Sequence, residues 1–120
     1  MENCNRRKIG GIYEQKAGEY LKEQGYTILE YNYRCRIGEI DIVARDGRYL
    51  VFVEVKYRKN TKSGLPQEAV NLHKQEKISK TAYFYLVQHK LPMDTPCRFD
   101  VAAILGEEIT VVKNAFSYCG

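Results

Sequence analysis

Apolar residues are spaced in two different ways along this chain, and each spacing predicts its own kind of element. From Ile12 to Gln24 they recur every three or four positions. Tyr13, Ala17, Tyr20 and Leu21, with Gln24 at the end, form one stripe, which predicts a helix that stops at Gly25 as its C-terminal cap. A second helical stripe, Gln75, Ile78, Ala82, Tyr85 and Leu86 with Lys74 on its edge, lies in the region Pro66 to His89. That region is expected to break near Asn71, whose side chain can cap the longer part. Elsewhere the pattern is that of strands. Tyr26 to Cys35 reads as one, and Arg36 to Gly38 turns the chain into Ile40 to Arg45 and Arg48 to Tyr57, both rich in Val, Ile, Phe and Tyr. Only Asp46 and Gly47 separate the last two, a pair that favours a two-residue type I′ hairpin. Leu91 to Pro96 is a turn, and Arg98 to Leu105 and Ile109 to Lys113 read as two further strands around Gly106. Because a helix lies between Tyr57 and Arg98, the strand with FDVAAI is expected to pair parallel to Arg48–Tyr57 through a right-handed crossover. The fold class is therefore α/β: a mixed sheet of about five strands flanked by helices, in one domain over residues 1–120.

The hairpin carries the chemistry. Counting back from a turn at Asp46-Gly47, Arg45 faces Arg48, Val43 faces Leu50, Asp41 faces Phe52 and Glu39 faces Glu54. Asp41, Glu54 and Lys56 then share one side of the sheet, with Asp41 and Glu54 as diagonal neighbours roughly 7–8 Å apart at the backbone. That separation leaves room for a small cation between the carboxylates. Acids clustered on an apolar hairpin are costly, and a bound Mg²⁺ or Mn²⁺, which takes oxygen ligands at about 2.0–2.1 Å, removes the cost. The competing reading is a solvated outer face. Against it, Ile40, Ile42, Ala44, Val51, Val53 and Val55 supply one apolar side, while Val43, Leu50 and Phe52 make the charged side apolar too. Glu39 either joins the acids or simply repels at the strand end.

An Asp on one strand followed by Glu-x-Lys on the next is the signature of the PD-(D/E)XK phosphodiesterases. The string GEIDIVARDG…LVFVEVKYR resembles, more closely, the uncharacterised bacterial YraN-like family, a Holliday junction resolvase-like branch of that superfamily. The resemblance runs from about Gly11 to Phe116 and takes in YEQKAGEYLKEQGYTILEYNYR, GLPQEAVNLHKQEKI and RFDVAAI. Ile40 stands where the superfamily name has Pro, which leaves the acid in place. The resemblance implies a restriction-endonuclease-like core and a divalent-metal-dependent endonuclease that hydrolyses phosphodiester bonds in DNA, branched or junction DNA included. In that reading Asp41 and Glu54 hold Mg²⁺ or Mn²⁺ with the carbonyl of Val55, and Lys56 orients the attacking water or stabilises the pentavalent phosphate. Glu14, the acid at the border of the first helical stripe, matches the helical Glu that completes the site in resolvase-like members. By its pattern alone it is an ordinary boundary residue. Lys74 and Gln75 match a Lys-Gln pair at a helix start near the acids: Lys74 would contact phosphate, and Gln75 would hold a water or the backbone of the lysine strand. A helix end reaching solvent explains the same two residues. A homodimer follows from the resolvase resemblance only.

Composition adds limits. The chain has 120 residues, 44% of them hydrophobic, enough for one core. It has no apolar run long enough for a membrane span, and MENCNRRKIGG lacks the hydrophobic segment of a secretion signal, so a cytoplasmic protein with no membrane partner is expected. Cys4, Cys35, Cys97 and Cys119 are scattered without a CxxC pair and read as reduced thiols. The net charge is only +4, but the basic residues are grouped at Arg6–Lys8, at Lys56, Arg58, Lys59 and Lys62, and at Lys74, Lys77 and Lys80. Such grouping suits a nucleic acid. Tyr57 to Pro66, with Arg58, Lys59 and Lys62, is either a loop that closes over a phosphate backbone or a plain solvated loop. Arg98 and Asp100 head their strand and are expected to pair internally, with a phosphate contact by Arg98 as the second option. His73 and His89 have no neighbours at metal-ligand spacing, and no Ser or Cys triad is evident. Two rival readings stay open: a nucleic-acid-binding module with a nuclease fold but no cleavage, and a structural protein whose metal only stabilises the fold.

Overall fold

The computed structural model describes residues 4–60 and 70–117, with side chains from Gly11 onward. Helix α1 (Cys4–Glu23) leads into strands β1 (Thr27–Arg34), β2 (Glu39–Asp46) and β3 (Tyr49–Arg58), then helix α2 (Leu72–Gln88) and strands β4 (Cys97–Leu105) and β5 (Glu108–Phe116). The strands form one five-stranded sheet in the order β1-β2-β3-β4-β5, antiparallel except for the parallel pair β3 and β4. This is an α/β fold consistent with a restriction-endonuclease-like core. Among the described residues no helix is long and apolar enough to cross a membrane.

The helix ends follow from local chemistry. At α1, Gly25 takes φ +100°, and the Gly25 and Tyr26 N–H groups donate to the carbonyls of Lys22 and Leu21 at 3.0 and 2.9 Å. These two bonds are the Schellman pattern, which satisfies carbonyls that the last turn would otherwise leave open. At α2 the Asn71 side chain accepts from the Lys74 N–H at 2.9 Å, so the capped helix starts where the sequence predicts. Helix α1 starts earlier than the stripe from Ile12 indicates, and β5 runs on to Phe116. That extension passes through a register shift opposite Phe99/Val101, with Asn114 at φ +54°.

Each helix covers one face of the sheet. Ala17 and Leu21 of α1 pack on Ile42, Ala44, Val51, Val53, Ala102 and Ile104. On the other face Ile78, Ala82, Tyr85 and Leu86 of α2 pack on Val43, Leu50, Phe52 and Phe99. Glu54 and Lys56 continue the Leu50 and Phe52 series and belong to the α2 side by strand alternation.

Two expectations are corrected. The hairpin turns at Gly47-Arg48, with Asp46 paired to Tyr49, Arg45 to Leu50 and Val43 to Phe52, so the register is two residues away from the one counted above. Gly47 carries the positive φ, +60°, at the first central position, as in a type II′ turn, and Asp46 is retained in the strand by its ion pair to Arg98. A shift of two leaves the paired residues, Ile42 to Asp46 and Tyr49 to Val53, on their predicted faces, and it moves Asp41 from a diagonal of Glu54 to the position opposite it, one step past the last pair. Ile40 is the second correction. It packs with Tyr33 on the α2 side, whereas Tyr31 and Ile42 lie on the α1 side. The face changes at Asn32, which has φ +57° in the middle of β1 and stands opposite Asp41. Beyond Ile42 and Val53 the paired register of β2 and β3 ends: Ile40 and Glu39 stay with β1, while Glu54 to Arg58 stay with β4.

Candidate functional site

The acids sit where β2 and β3 part. An Asp at the first position past the ladder can turn its carboxylate into the gap, and the Asp41 Oδ2 accepts the Val55 N–H at 2.8 Å. Across from it Glu54 is buried, 6% exposed, on a strand with a neighbour on each side. Its Oε2 takes the Nζ of Lys56 and the Nζ of Lys74, each at 3.2 Å. Lys56 comes from the same strand two residues on. Lys74 comes from the first turn of α2, aimed there by the Asn71 cap. From the other side of the sheet α1 delivers Glu14, whose carboxyl hydrogen-bonds the side chains of Asn32 and Asp41. Glu14, Asp41, the Glu54 and Lys56 pair and Lys74, from four separate elements, thus converge.

The electrostatics mark this as a strained group of like charges. The Asp41 carboxyl is pushed up to about 8, first by burial and then by the charge of Glu54; the Val55 N–H opposes the shift, while Glu14 and Glu39 add to it. Glu14 is raised as well, chiefly by burial, against the hydrogen bonds from Asn32 and Asp41 that lower it. With Asp41 pushed up to about 8, its neutral form is favoured at neutral pH, and that form is the one that can donate to the Glu14 carboxylate. The donors are all hard oxygens: three carboxylates, with the carbonyl of Val55 beside them. That chemistry fits Mg²⁺ or Mn²⁺ rather than a metal that prefers thiolate or imidazole. Among the described residues no three Asp, Glu, His or Cys side chains form a ready ligand cluster. The carboxylate of Glu54 is turned to its two lysines.

The remaining candidates are spread around this centre. Gln75 donates from Nε2 to the Val70 carbonyl at 3.1 Å and so braces the chain entering α2. Arg58 ends β3 with its Nη1 on the Tyr57 carbonyl at 3.0 Å and its Nε buried without a hydrogen-bond partner. Lys59 follows, exposed, and Lys62 lies outside the described residues, as does most of the Tyr57–Pro66 loop. Glu39 does not face Glu54 as counted: it pairs with Arg34 at 3.3 Å on the exposed rim and contributes only its field to Asp41. Arg98 lies at the opposite end of the sheet in the internal pairing expected of it, with Asp100 at 2.9 Å and Asp46 at 2.7 Å. Cys35 and Cys97 are free thiols.

Sequence reasoning missed Asn32. Its signal was an Asn between two tyrosines in a strand, a residue type that tolerates the left-handed region. It also missed the stack of Tyr13 on Tyr57, ring centroids 4.0 Å apart, which walls the site on the α1 side next to Glu14 and Lys56.

Residues 13–104 match the family described as "Uncharacterised protein family UPF0102". A UPF0102 protein of Lachnoclostridium phytofermentans is 56% identical over 116 residues, which is 97% of this chain and 98% of the relative. Another from Syntrophus aciditrophicus is 52% identical over 113 residues, 91% of this chain and 88% of the relative. A third from Geotalea daltonii is 51% identical over 115 residues, 92% and 90% of the two chains.

Proposed function

We propose that this chain, which belongs to the uncharacterised protein family UPF0102, the YraN-like family, is a divalent-metal-dependent endonuclease that hydrolyses phosphodiester bonds in DNA. The observation that carries this reading is the convergence of Asp41, Glu54 and Glu14, like charges pressed together at the splayed end of a hairpin, with the ammonium of Lys56 beside them. A purely architectural cluster would pair all its charges; here Glu54 has its two lysines, but Asp41 and Glu14 are both pushed upward.

Asp41, Glu54, Glu14 and the carbonyl of Val55 would hold Mg²⁺ or Mn²⁺. Such an ion supplies a more acidic water and neutralises charge that builds on the phosphate. The chain's own residues do the rest. The Val55 N–H holds the Asp41 carboxylate in one orientation. Lys56, mostly buried at 20% exposure, is a fixed point charge that orients water or stabilises the phosphate oxygens. Arg58, Lys59, Lys74 and Gln75 would meet the nucleic acid around the site, as would Lys62, which lies outside the described residues, and a DNA backbone is the polyanion such a group suits. Branched DNA as the preferred substrate, and a homodimer to cut both strands, are finer parts of the same proposal.

A second reading, a nucleic-acid-binding module without cleavage, is favoured by one observation: Glu54 already has two ammonium partners and needs no cation for its own charge. The deciding experiment is cleavage of labelled single-stranded, duplex, flap and four-way-junction DNA and a structured RNA, with Mg²⁺ or Mn²⁺. Asp41→Ala is expected to lose activity on the order of a hundred- to thousandfold, and chelator should abolish it in the wild type. Salt-sensitive binding without products, retained by Asp41→Ala, would establish the second reading instead.

A further inference from the structure

Glu54 presents one oxygen to two ammonium groups, and the two are not equivalent. Lys56 is on the same strand and 20% exposed; Lys74 is on another element and 42% exposed. Lys56 is therefore the built-in partner and Lys74 the one that solvent, or a ligand, can take away. While both remain, Oε2 has little room for a cation, and a divalent ion brought to it would meet two positive charges within a few ångströms. That is consistent with the absence of any ready cluster of ligating side chains among the described residues.

The position of Lys74 points the same way. It lies in the first turn of α2, where the helix dipole favours negative charge, and that turn contains no acid. Its backbone is pinned by the Asn71 cap at 2.9 Å, so the helix start stays in place while the long side chain swings. An anion arriving at this corner has an ammonium to take and a helix terminus behind it.

We propose that Lys74 couples substrate to metal: a backbone phosphate of the nucleic acid draws the Lys74 ammonium off Glu54, and the carboxylate, left with Lys56 as its one ammonium partner, can complete the oxygen set for the divalent ion. In the free protein Lys74 holds Glu54 in a form that binds metal weakly, and Lys56 stays on the carboxylate throughout. This rests on the nuclease reading above and deepens it by giving Lys74 a positioning role, distinct from that of the catalytic Lys56. Cation and phosphate then bind with positive cooperativity, each strengthening the other by the same factor.

The test is Mn²⁺ binding followed by electron paramagnetic resonance of the free ion, for wild type, Lys74→Gln and Lys74→Arg. Each is measured alone and with saturating dimethyl phosphate, a phosphodiester monoanion that is not cleaved during the titration. Circular dichroism confirms that each variant is folded. Lys74→Gln without phosphodiester is expected to bind Mn²⁺ about tenfold more tightly than wild type. Dimethyl phosphate should tighten Mn²⁺ binding several-fold in wild type and Lys74→Arg and leave Lys74→Gln unchanged. Equal Mn²⁺ affinity in wild type and Lys74→Gln would overturn the coupling while leaving the metal site standing. Failure of all three proteins to bind Mn²⁺, with or without phosphodiester, would overturn the metal reading itself and the coupling with it.

Discussion

The two ends of the hairpin bury charge in opposite ways. At the turn end Asp100 is fully buried, and every demand it makes is met. Arg98 grips it through Nε and Nη2 at 3.0 and 2.9 Å, the Tyr26 hydroxyl donates at 2.7 Å, and the Asn114 N–H donates at 2.9 Å. The same guanidinium reaches Asp46, whose carboxyl is held below its ordinary value by that bond. At the splayed end Asp41, Glu54 and Glu14 crowd together, and the Asp41 carboxyl rises to about 8. Opposite charges that satisfy one another make architecture: they tie the residue before β1, the end of β2, β4 and β5 into one unit. Carboxyl groups held together by the rest of the fold instead raise one another's proton affinity, as Asp41 shows.

Breaking the paired end should have the largest effect. Arg98→Leu leaves Asp100 buried without its cation and is expected to cost about 3–5 kcal/mol of stability in urea unfolding. It should not weaken Mn²⁺ binding in molecules that remain folded. A loss below about 1 kcal/mol would mean that the Tyr26 and Asn114 bonds suffice for Asp100.

Relieving the crowded end should do the reverse. Asp41→Asn is expected to stabilise the metal-free protein by about 2 kcal/mol at neutral pH. The sign follows from the shift. The folded Asp41 binds its proton up to about pH 8 against an ordinary 3.8, so between those values the folded state holds the extra proton, and stability falls as pH rises through the window. Melting curves from pH 4 to 8 should therefore decline more steeply for wild type than for Asp41→Asn. Added Mn²⁺ should restore the wild type and not the variant. A variant less stable than wild type at pH 7 would show that the Val55 hydrogen bond outweighs the crowding.

The smallest effect separates backbone from side chain at Asn32. Asn32→Gly keeps the left-handed residue and removes only the amide that holds Glu14. It should change stability little, while Asn32→Ala, which must adopt φ near +57°, should lose about 1–2 kcal/mol. If both weaken Mn²⁺ binding alike, the amide matters to the site; if only Asn32→Ala does, the strand kink matters alone.

Much of this contrast was legible in the chain, unevenly. Gly25 and Asn71 announced the helix ends, because a cap depends on residues within one turn of it. The strands, the parallel β3–β4 pairing and the shared face of Glu54 and Lys56 followed from spacing and connection length. The Arg98–Asp100 pair was expected from two charges at the head of a buried strand. Its partners Tyr26 and Asn114 were not, since they lie 72 or more and 14 residues away in sequence. The hairpin register was miscounted by two because Asp46-Gly47 and Gly47-Arg48 are both acceptable turns locally. The choice is made by Asp46 reaching Arg98, 52 residues on.

Local periodicity, caps and the Asp41…Glu54-x-Lys56 string thus determined the elements, their faces and the residue types at the site. All of these rest on neighbours within a few positions, where sterics and hydrogen bonding act before the chain has folded. The tertiary structure alone decided the register, the change of face at Asn32, the arrival of Glu14 from α1 and the hold of Lys74 on Glu54. Those depend on which distant groups meet once the core is packed, and the packing of two helices on opposite faces of one sheet brings them there.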